Sequence, residues 1–309
     1  IEASNLDESK YSGLIDSLKI DGKTYGIPYR KDNNLIFYNK DLFDAAGVEY
    51  PTDGMTMEEY RELAKKMTSG EGADKIYGAH VHTWASNVYM FARRTGAFDI
   101  LNGDVSVLKP YYETILAMQN EDKSIMDYAS LKAGNVHYSG VFYNEQVAMM
   151  QMGTWFISNL VEKRASGEID FEWGVASIPD IDGTGNTIGV GGVTPISINA
   201  KAEHPDEAWK FIEFITGEEG AIILAQSGIL PGYTDDRVVE EFTKLEGAPE
   251  NLKDYLALDT ITIEQEMHSK GREIYKILDE QHDLIMVNAV SVDEGLEELQ
   301  KRIDEVLGR

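Results

Sequence analysis

No cysteine occurs in the 309 residues. Its absence excludes disulfides, thiolate metal sites and a cysteine nucleophile, and it suits an oxidising compartment where a stray thiol is a hazard. Long apolar runs are missing as well. The apolar stretches, such as "AIILA" (221–225) and "LIMV" (284–287), fall far short of the roughly 20 residues a membrane helix needs. The N-terminal stretch "IEASNLDESKYSG" is polar and acidic and carries no signal-peptide pattern. Basic residues are scarce, 28 against 54 acidic ones, so the net charge is −26. Such a field repels polyanions and argues against nucleic acid or an anionic membrane surface as partner. It also keeps a surface soluble, the simpler of its two readings; the other is an acidic site for cations.

Most signatures of catalysis are absent too. No G-x-S-x-G elbow occurs, since Ser139 and Ser227 precede glycines but lack the glycine two residues earlier. There is no G-x-x-x-x-G-K-[ST] phosphate loop. The glycines of "GTGNTIGVGG" precede a strand rather than open a helix, so they read as a turn. His80 and His82 in "GAHVHTW" share one face of a strand and have the spacing to grip a metal together, but nothing nearby in sequence completes a ligand set. A structural or exposed pair is the plainer reading, and no metal or other cofactor is expected. Carboxylate pairs for glycoside hydrolysis cannot be singled out among so many acids.

What is present is a strand and helix alternation that argues for an α/β protein. "DGKTYGIPY" (21–29) reads as a hairpin turn at Asp21-Gly22 followed by a strand, and "NLIFYN" (34–39) as a buried strand. "KDLFDAAG" (40–47) is a short helix closed by Gly47. Thr56 and Glu59 form a capping box ahead of a helix whose Met57, Tyr60, Leu63, Ala64 and Met67 share a face. "KPYYETILAMQN" (109–120) and "NEQVAMMQM" (144–152) show weaker helical patterns. "FEWGVASIP" (171–179) and "VTPISINA" (193–200) read as strands around the glycine-rich stretch 180–192. Pro205 starts a helix with Ala208, Trp209, Phe211, Ile212, Phe214 and Ile215 on its core face. Ser291 and Glu294 cap a last amphipathic helix. No internal repeat or low-complexity linker separates domains.

The aromatics carry more information. Trp84, Trp155 and Trp173 sit beside polar or small residues in "HTWASN", "MGTWFISN" and "FEWGV". An aromatic ring suits the apolar face of a pyranose, while carboxylates, amides and arginine bond its hydroxyls. Core packing is an equal alternative for any one of them, and Trp173 and Trp209 are assigned to the core.

Several stretches together resemble the extracellular solute-binding proteins of ABC transporters, in the sugar-binding family, and more distantly maltose-binding protein. They are "DGKTYGIPY", "LIFYNKDLFDAAGVEYPTDGMTMEEYRELAKKM", "YNEQVAMMQMGTWFISNL", "WGVASIPDIDG", "GVGGVTPISINAKAEHPDEAWKFIEFITGEEG" with "LPGYTD", and "SVDEGLEELQKRIDEVL". The resemblance implies a two-lobed periplasmic-binding-protein-like α/β fold with a hinge and a ligand cleft between lobes. It implies residues 1–32 and 194–248 in an N-terminal lobe and 33–193 and 249–309 in a C-terminal lobe. Relatives begin with further βα units, so part of the first lobe is expected to be missing. The implied function is capture of a sugar or oligosaccharide outside the cytoplasm, in the periplasm or lipid-anchored at the cell surface. The implied partners are permease subunits, and the implied state is a monomer without enzymatic activity.

Residue by residue, the resemblance implies that Asp32 is an acidic sugar ligand beside Tyr29 and Arg30. Trp155 matches the stacking tryptophan, and Trp84 joins from the second lobe. Gly191 and Gly192 let backbone approach the ligand, and Arg94, Tyr233 and Tyr275 are further contacts. Two positions depart from the family pattern. "LPGYTD" has Gly-Tyr where an arginine is frequent, and "EQEMHSKGREIY" lacks a tryptophan often found there. Three alternatives stay open: the same fold binding a cation such as a polyamine, a carbohydrate-active enzyme, and a pure docking protein.

Overall fold

A computed structural model describes residues 6–181, 189–255 and 261–309. The middle of the glycine-rich stretch, 182–188, lies outside the described residues. Ten strands are described: β1 (Lys19–Ile20), β2 (Lys23–Thr24), β3 (Ile27–Lys31), β4 (Asn34–Asn39), β5 (Tyr77–His80), β6 (Val147–Gly153), β7 (Trp173–Ser177), β8 (Gly189–Gly191), β9 (Val193–Ile196) and β10 (Ile261–Ile263). They alternate with helices, so the α/β class expected from the pattern is the one observed.

The chain divides into two units, each assembled from three stretches. The first comprises Ile1–Asn33, Gly153–Ile169 and Gly189–Ser269; the second comprises Asn34–Met152, Asp170–Ile188 and Lys270–Arg309. The sequence reading puts 33, 153–169, 189–193 and 249–269 in the other lobe. For 33 and 153–169 the difference has a physical cause. After β6 the chain turns onto the strap that follows β3: Thr154 N–H donates to the Asn33 carbonyl at 2.9 Å, and Asn33 N–H donates to the Thr154 hydroxyl at 3.1 Å.

In the first unit, β1 and β2 form the hairpin anticipated at Asp21-Gly22, and both turn residues have positive φ (51° and 74°), as a type I′ turn requires. β3 pairs antiparallel with β9, with a register shift between Pro28 and Arg30 that re-aims Tyr29. β8 pairs parallel with β10. The core cluster is Tyr11, Leu14, Ile15, Ile27 and Ile212, with Trp209, Val193, Ile196 and Tyr233 packed against it. The Tyr11 hydroxyl donates to the Thr216 carbonyl at 2.8 Å, closing the N-terminal segment onto the helix Pro205–Thr216.

That helix corrects one expectation. Ile212 is buried, but Phe211 and Phe214 remain 58% and 44% exposed, because the apolar arc of the helix is wider than the surface it packs against.

The second unit holds a four-stranded sheet in the order β5-β6-β4-β7, with β5–β6 parallel and β4–β7 antiparallel. β6 is the second correction. Its "VAMMQMG" run is a strand buried at every position, not a helix. A central strand covered on both faces needs a continuous apolar run, which periodicity cannot tell from a short helix. Trp173 on β7 is 2% exposed and stacks on Phe37 with centroids 5.9 Å apart, so it is core as assigned. Both capping boxes, Thr56–Glu59 and Ser291–Glu294, form with reciprocal hydrogen bonds. Gly78 is required where β5 crosses the helix Met57–Met67, since a Cβ there would lie 1.7 Å from the Ala64 carbonyl oxygen.

Gly191 and Gly192 differ in the same respect. A Cβ on Gly191 would fall 1.5 Å from the Asp32 carbonyl oxygen, whereas one on Gly192 would meet nothing nearer than Glu264 Oε2 at 3.8 Å. Gly191→Ala is therefore expected to destabilise the fold by about 1–3 kcal/mol or more through overpacking. Gly192→Ala should unfold at nearly the parent denaturant concentration. Equal denaturation midpoints for the two variants would contradict this placement.

Candidate functional site

The first unit brings together six of the ten residues singled out from the sequence: Tyr29, Arg30, Asp32, Trp155, Gly191 and Gly192. The strand β3 carries Tyr29 and Arg30 and leads into Asp32. Its edges are tied on one side by β9, where Arg30 is opposite Thr194, and on the other by hydrogen bonds from Lys31 N–H to the Leu230 carbonyl (2.9 Å) and from Gly232 N–H to the Tyr29 carbonyl (3.0 Å). Asp32 N–H then donates to the Gly192 carbonyl at 2.8 Å. Glu264 N–H donates to the Gly191 carbonyl at 2.7 Å. At Gly191 the close approach is thus made by the protein's own backbone at Asp32.

Asp32 is 4% exposed. Its carboxylate accepts the backbone N–H of Trp155, and Arg30 Nε stands 3.7 Å away. Burial pushes its pKa up to about 6, against the opposing pull of Arg30 and the Trp155 N–H. Arg30 also donates from Nε to the Thr194 hydroxyl at 3.1 Å, and its guanidinium lies 5.9 Å from the Tyr29 ring centroid. Trp155 opens the helix Trp155–Ala165 and is half-buried. Its ring lies where a Cβ on Gly153 would be, 1.9 Å from the nearest ring atom, which explains the Gly-x-Trp motif: only glycine leaves room for the ring.

Sequence reasoning missed two neighbours: Thr154 pins the strap, and Thr194 bonds Arg30. Only its adjacency to Trp155 in sequence signals the first. Asn33, in the polar run 29–34, is 3% exposed with its amide oxygen lacking a hydrogen-bond partner. Tyr233 packs edge-on against Tyr11 at 6.0 Å, on the core cluster of the same unit.

The second unit carries Trp84, Arg94 and Tyr275. Trp84 is 41% exposed and heads an aromatic cluster: the His82 ring meets it edge-on at 4.5 Å, and Tyr138 lies 5.6 Å away. Behind it His80 Nε2 and His82 Nδ1 are 3.3 Å apart. Burial lowers both histidines, to about 3 for His80 and about 4 for His82, so both rings are neutral near pH 7. Among the described residues no group of three or more His, Cys, Asp or Glu is placed to hold a metal. Arg94 is 3% exposed, with its guanidinium 3.4 Å from the carboxylate of the fully buried Asp180. Tyr275 is 8% exposed and packs 6.3 Å from Tyr89. Both sit in the interior of the second unit.

Chemically, the first unit offers a ring, a carboxylate that accepts hydrogen bonds, and a guanidinium that donates them. Nothing in that set is an activated nucleophile or a carboxylate pair.

Residues 1–222 match the family described as "Bacterial extracellular solute-binding protein". A crystal structure of a sugar transporter from Rhizobium etli, in an open conformation, is 37% identical with a TM-score of 0.84, covering 97% of this chain and 77% of that one. An ABC substrate-binding protein from Listeria monocytogenes in complex with cycloalternan shares the fold, with a TM-score of 0.81 at 22% identity, covering 99% of this chain and 77% of that one. An sn-glycerol-3-phosphate-binding periplasmic protein of Salmonella typhimurium is 24% identical over 244 residues, 74% of this chain and 54% of its own length. The chain spans about half the length of the curated relatives it matches. None of the helices among the described residues is long and apolar enough to cross a membrane.

The raised pKa of Asp32 has a definite sign. Folding binds its proton more tightly than the unfolded chain does, so Asp32 favours the fold below about pH 4 and loses that advantage as pH rises to about 6. Between those limits wild type should lose on the order of 3 kcal/mol relative to Asp32→Asn, whose amide does not titrate. Urea denaturation of both proteins at acid and neutral pH checks this. A gap that stays constant with pH would show that Asp32 is not desolvated.

Proposed function

The chain belongs to the bacterial extracellular solute-binding proteins, and from that premise we propose that it is the ligand-capturing subunit of an ABC importer for a sugar or oligosaccharide. The observation that carries the reading is the join between Asp32 and Trp155. One residue supplies a ring fixed over a glycine, and its own backbone N–H orients a carboxylate beside it. A pyranose presents an apolar face to the ring and hydroxyl donors to the carboxylate, while Arg30 donates to ring or hydroxyl oxygens.

The exposed Trp84, backed by His82 and Tyr138, is a second aromatic surface suited to the same ligand class. Arg94 and Tyr275 act from the interior, by holding the elements that carry such a surface. Ligand capture closes the two lobes by a hinge, and the closed form, a monomer, delivers its sugar to the permease subunits. The protein works outside the cytoplasm, in the periplasm or anchored by lipid at the cell surface. The family and the relatives named above are binding and transport proteins, which supports a role without turnover.

Calorimetric titration with a carbohydrate panel tests the reading. Trp155→Ala should weaken binding by about 1–3 kcal/mol, the loss expected for an aromatic contact dehydrated on binding. Unchanged affinity would remove the stacking role. Affinity for a neutral sugar should also hold nearly constant as ionic strength rises. A steep loss would point instead to a cationic ligand drawn by the acidic surplus.

A further inference from the structure

We propose that Tyr128 is a positioning residue for the Trp84 surface: its single hydroxyl proton, shared between the Thr83 carbonyl and the Asp283 carboxylate, sets how firmly the turn that carries Trp84 is held. The inference rests on the reading of Trp84 as a ligand surface, and it names two residues that tune that surface without touching ligand.

Tyr128 is a fixed post. It opens the helix Tyr128–Ala133 and is 1% exposed. Its backbone N–H donates to Gln119 Oε1 at 2.9 Å, and Gln119 Nε2 donates in turn to the Met286 carbonyl at 3.2 Å. Its ring meets His282 edge-on with centroids 5.3 Å apart, and His282 Nδ1 lies 3.1 Å from the Tyr112 hydroxyl. The helices Lys109–Asn120 and Gly271–Met286 thus clamp the phenol. Its hydroxyl emerges beside the turn between β5 and the helix Ser86–Arg94, 3.1 Å from the Thr83 carbonyl. On the far side of that turn the helix itself closes it, where Asn87 N–H donates to the Trp84 carbonyl at 3.0 Å.

The same hydroxyl touches Asp283 Oδ1, the oxygen that Lys132 Nζ approaches at 2.9 Å. A phenol has one proton to give. Burial and the bond to Asp283 raise the Tyr128 pKa far above the usual phenol range, so the proton stays on the oxygen. Asp283 is therefore a competitor. Its charge draws the proton away from Thr83, and Lys132, by sharing that charge, limits the pull. Asp283→Asn removes the charge and supplies an amide that can donate to the phenol oxygen, which turns the proton fully to Thr83. Tyr128→Phe keeps the ring and removes the proton. The two changes push the turn in opposite directions, which a plain packing role for Tyr128 does not do.

Hydrogen exchange read by mass spectrometry follows the amides of Asn87, Val88 and Tyr89, which donate to the Trp84 and Ala85 carbonyls. The full chain is compared as wild type, Tyr128→Phe and Asp283→Asn, with urea midpoints to confirm folding. In Tyr128→Phe these amides should exchange about fivefold faster or more, the factor expected for one lost hydrogen bond. In Asp283→Asn they should exchange more slowly than in wild type, and this variant decides the matter if Tyr128→Phe does not fold. The proposal is overturned if folded Tyr128→Phe exchanges there at the wild-type rate, or if Asp283→Asn exchanges as fast as wild type or faster. Calorimetry with maltotriose and cellotriose, as α- and β-linked probes, reads the functional side: affinity should fall severalfold in Tyr128→Phe and hold in Asp283→Asn. If wild type binds neither sugar while exchange responds as stated, the hold of Tyr128 on the turn stands and the sugar reading fails for these ligands. Equal sugar affinity in wild type and Tyr128→Phe overturns the role of Tyr128 in capture.

Discussion

The hydrogen bond from the Trp155 backbone to the Asp32 carboxylate helps to join the two segments on which the candidate site of the first unit depends. It fixes the end of the strap after β3 against the start of a helix that enters from a distant part of the chain. The reciprocal pair between Asn33 and Thr154 adds to it, so two consecutive residues on each side, Asp32 and Asn33 against Thr154 and Trp155, are held together. The ring of Trp155 and the carboxylate of Asp32 are therefore positioned by the same few contacts. Neither depends on a flexible side chain finding its place.

Much of this arrangement is legible in the residues themselves. The Asp21-Gly22 hairpin, both capping boxes and the glycine that closes the helix Lys40–Ala46 are local devices, and each forms where its signature stands. β6 is not legible, because "VAMMQM" carries no period that separates a doubly covered strand from a helix. The partition of the chain between units is also not legible, since Thr154 and Asn33 meet across 121 residues and no local pattern announces it. For the site, the sequence points to Asp32 and Trp155 through family resemblance. The reason that Gly153 and Gly191 must be glycines appears only when the Trp155 ring and the Asp32 carbonyl are seen to fill the space a Cβ needs.

The second unit handles buried polarity differently. His80 and His82 are neutral because they are dehydrated, and their ring nitrogens satisfy one another in part. Buried charge there is compensated, as where Arg94 faces Asp180 and where Arg93 Nη1 donates to the Phe98 carbonyl at 2.9 Å. Trp84 stands at the outer end of an edge-to-face aromatic cluster with His82 and Tyr138. That environment favours dispersion and ring contacts over ionic ones.

The interleaving of the two units has a consequence for biogenesis. The first cannot assemble fully until residues as far along as Ser269 have been synthesised, and the second draws on the closing helix Val292–Leu307. Their cores rest on pairings of high sequence separation, which form slowly and only after most of the polypeptide exists. A nascent chain built this way stays unfolded for longer behind the ribosome.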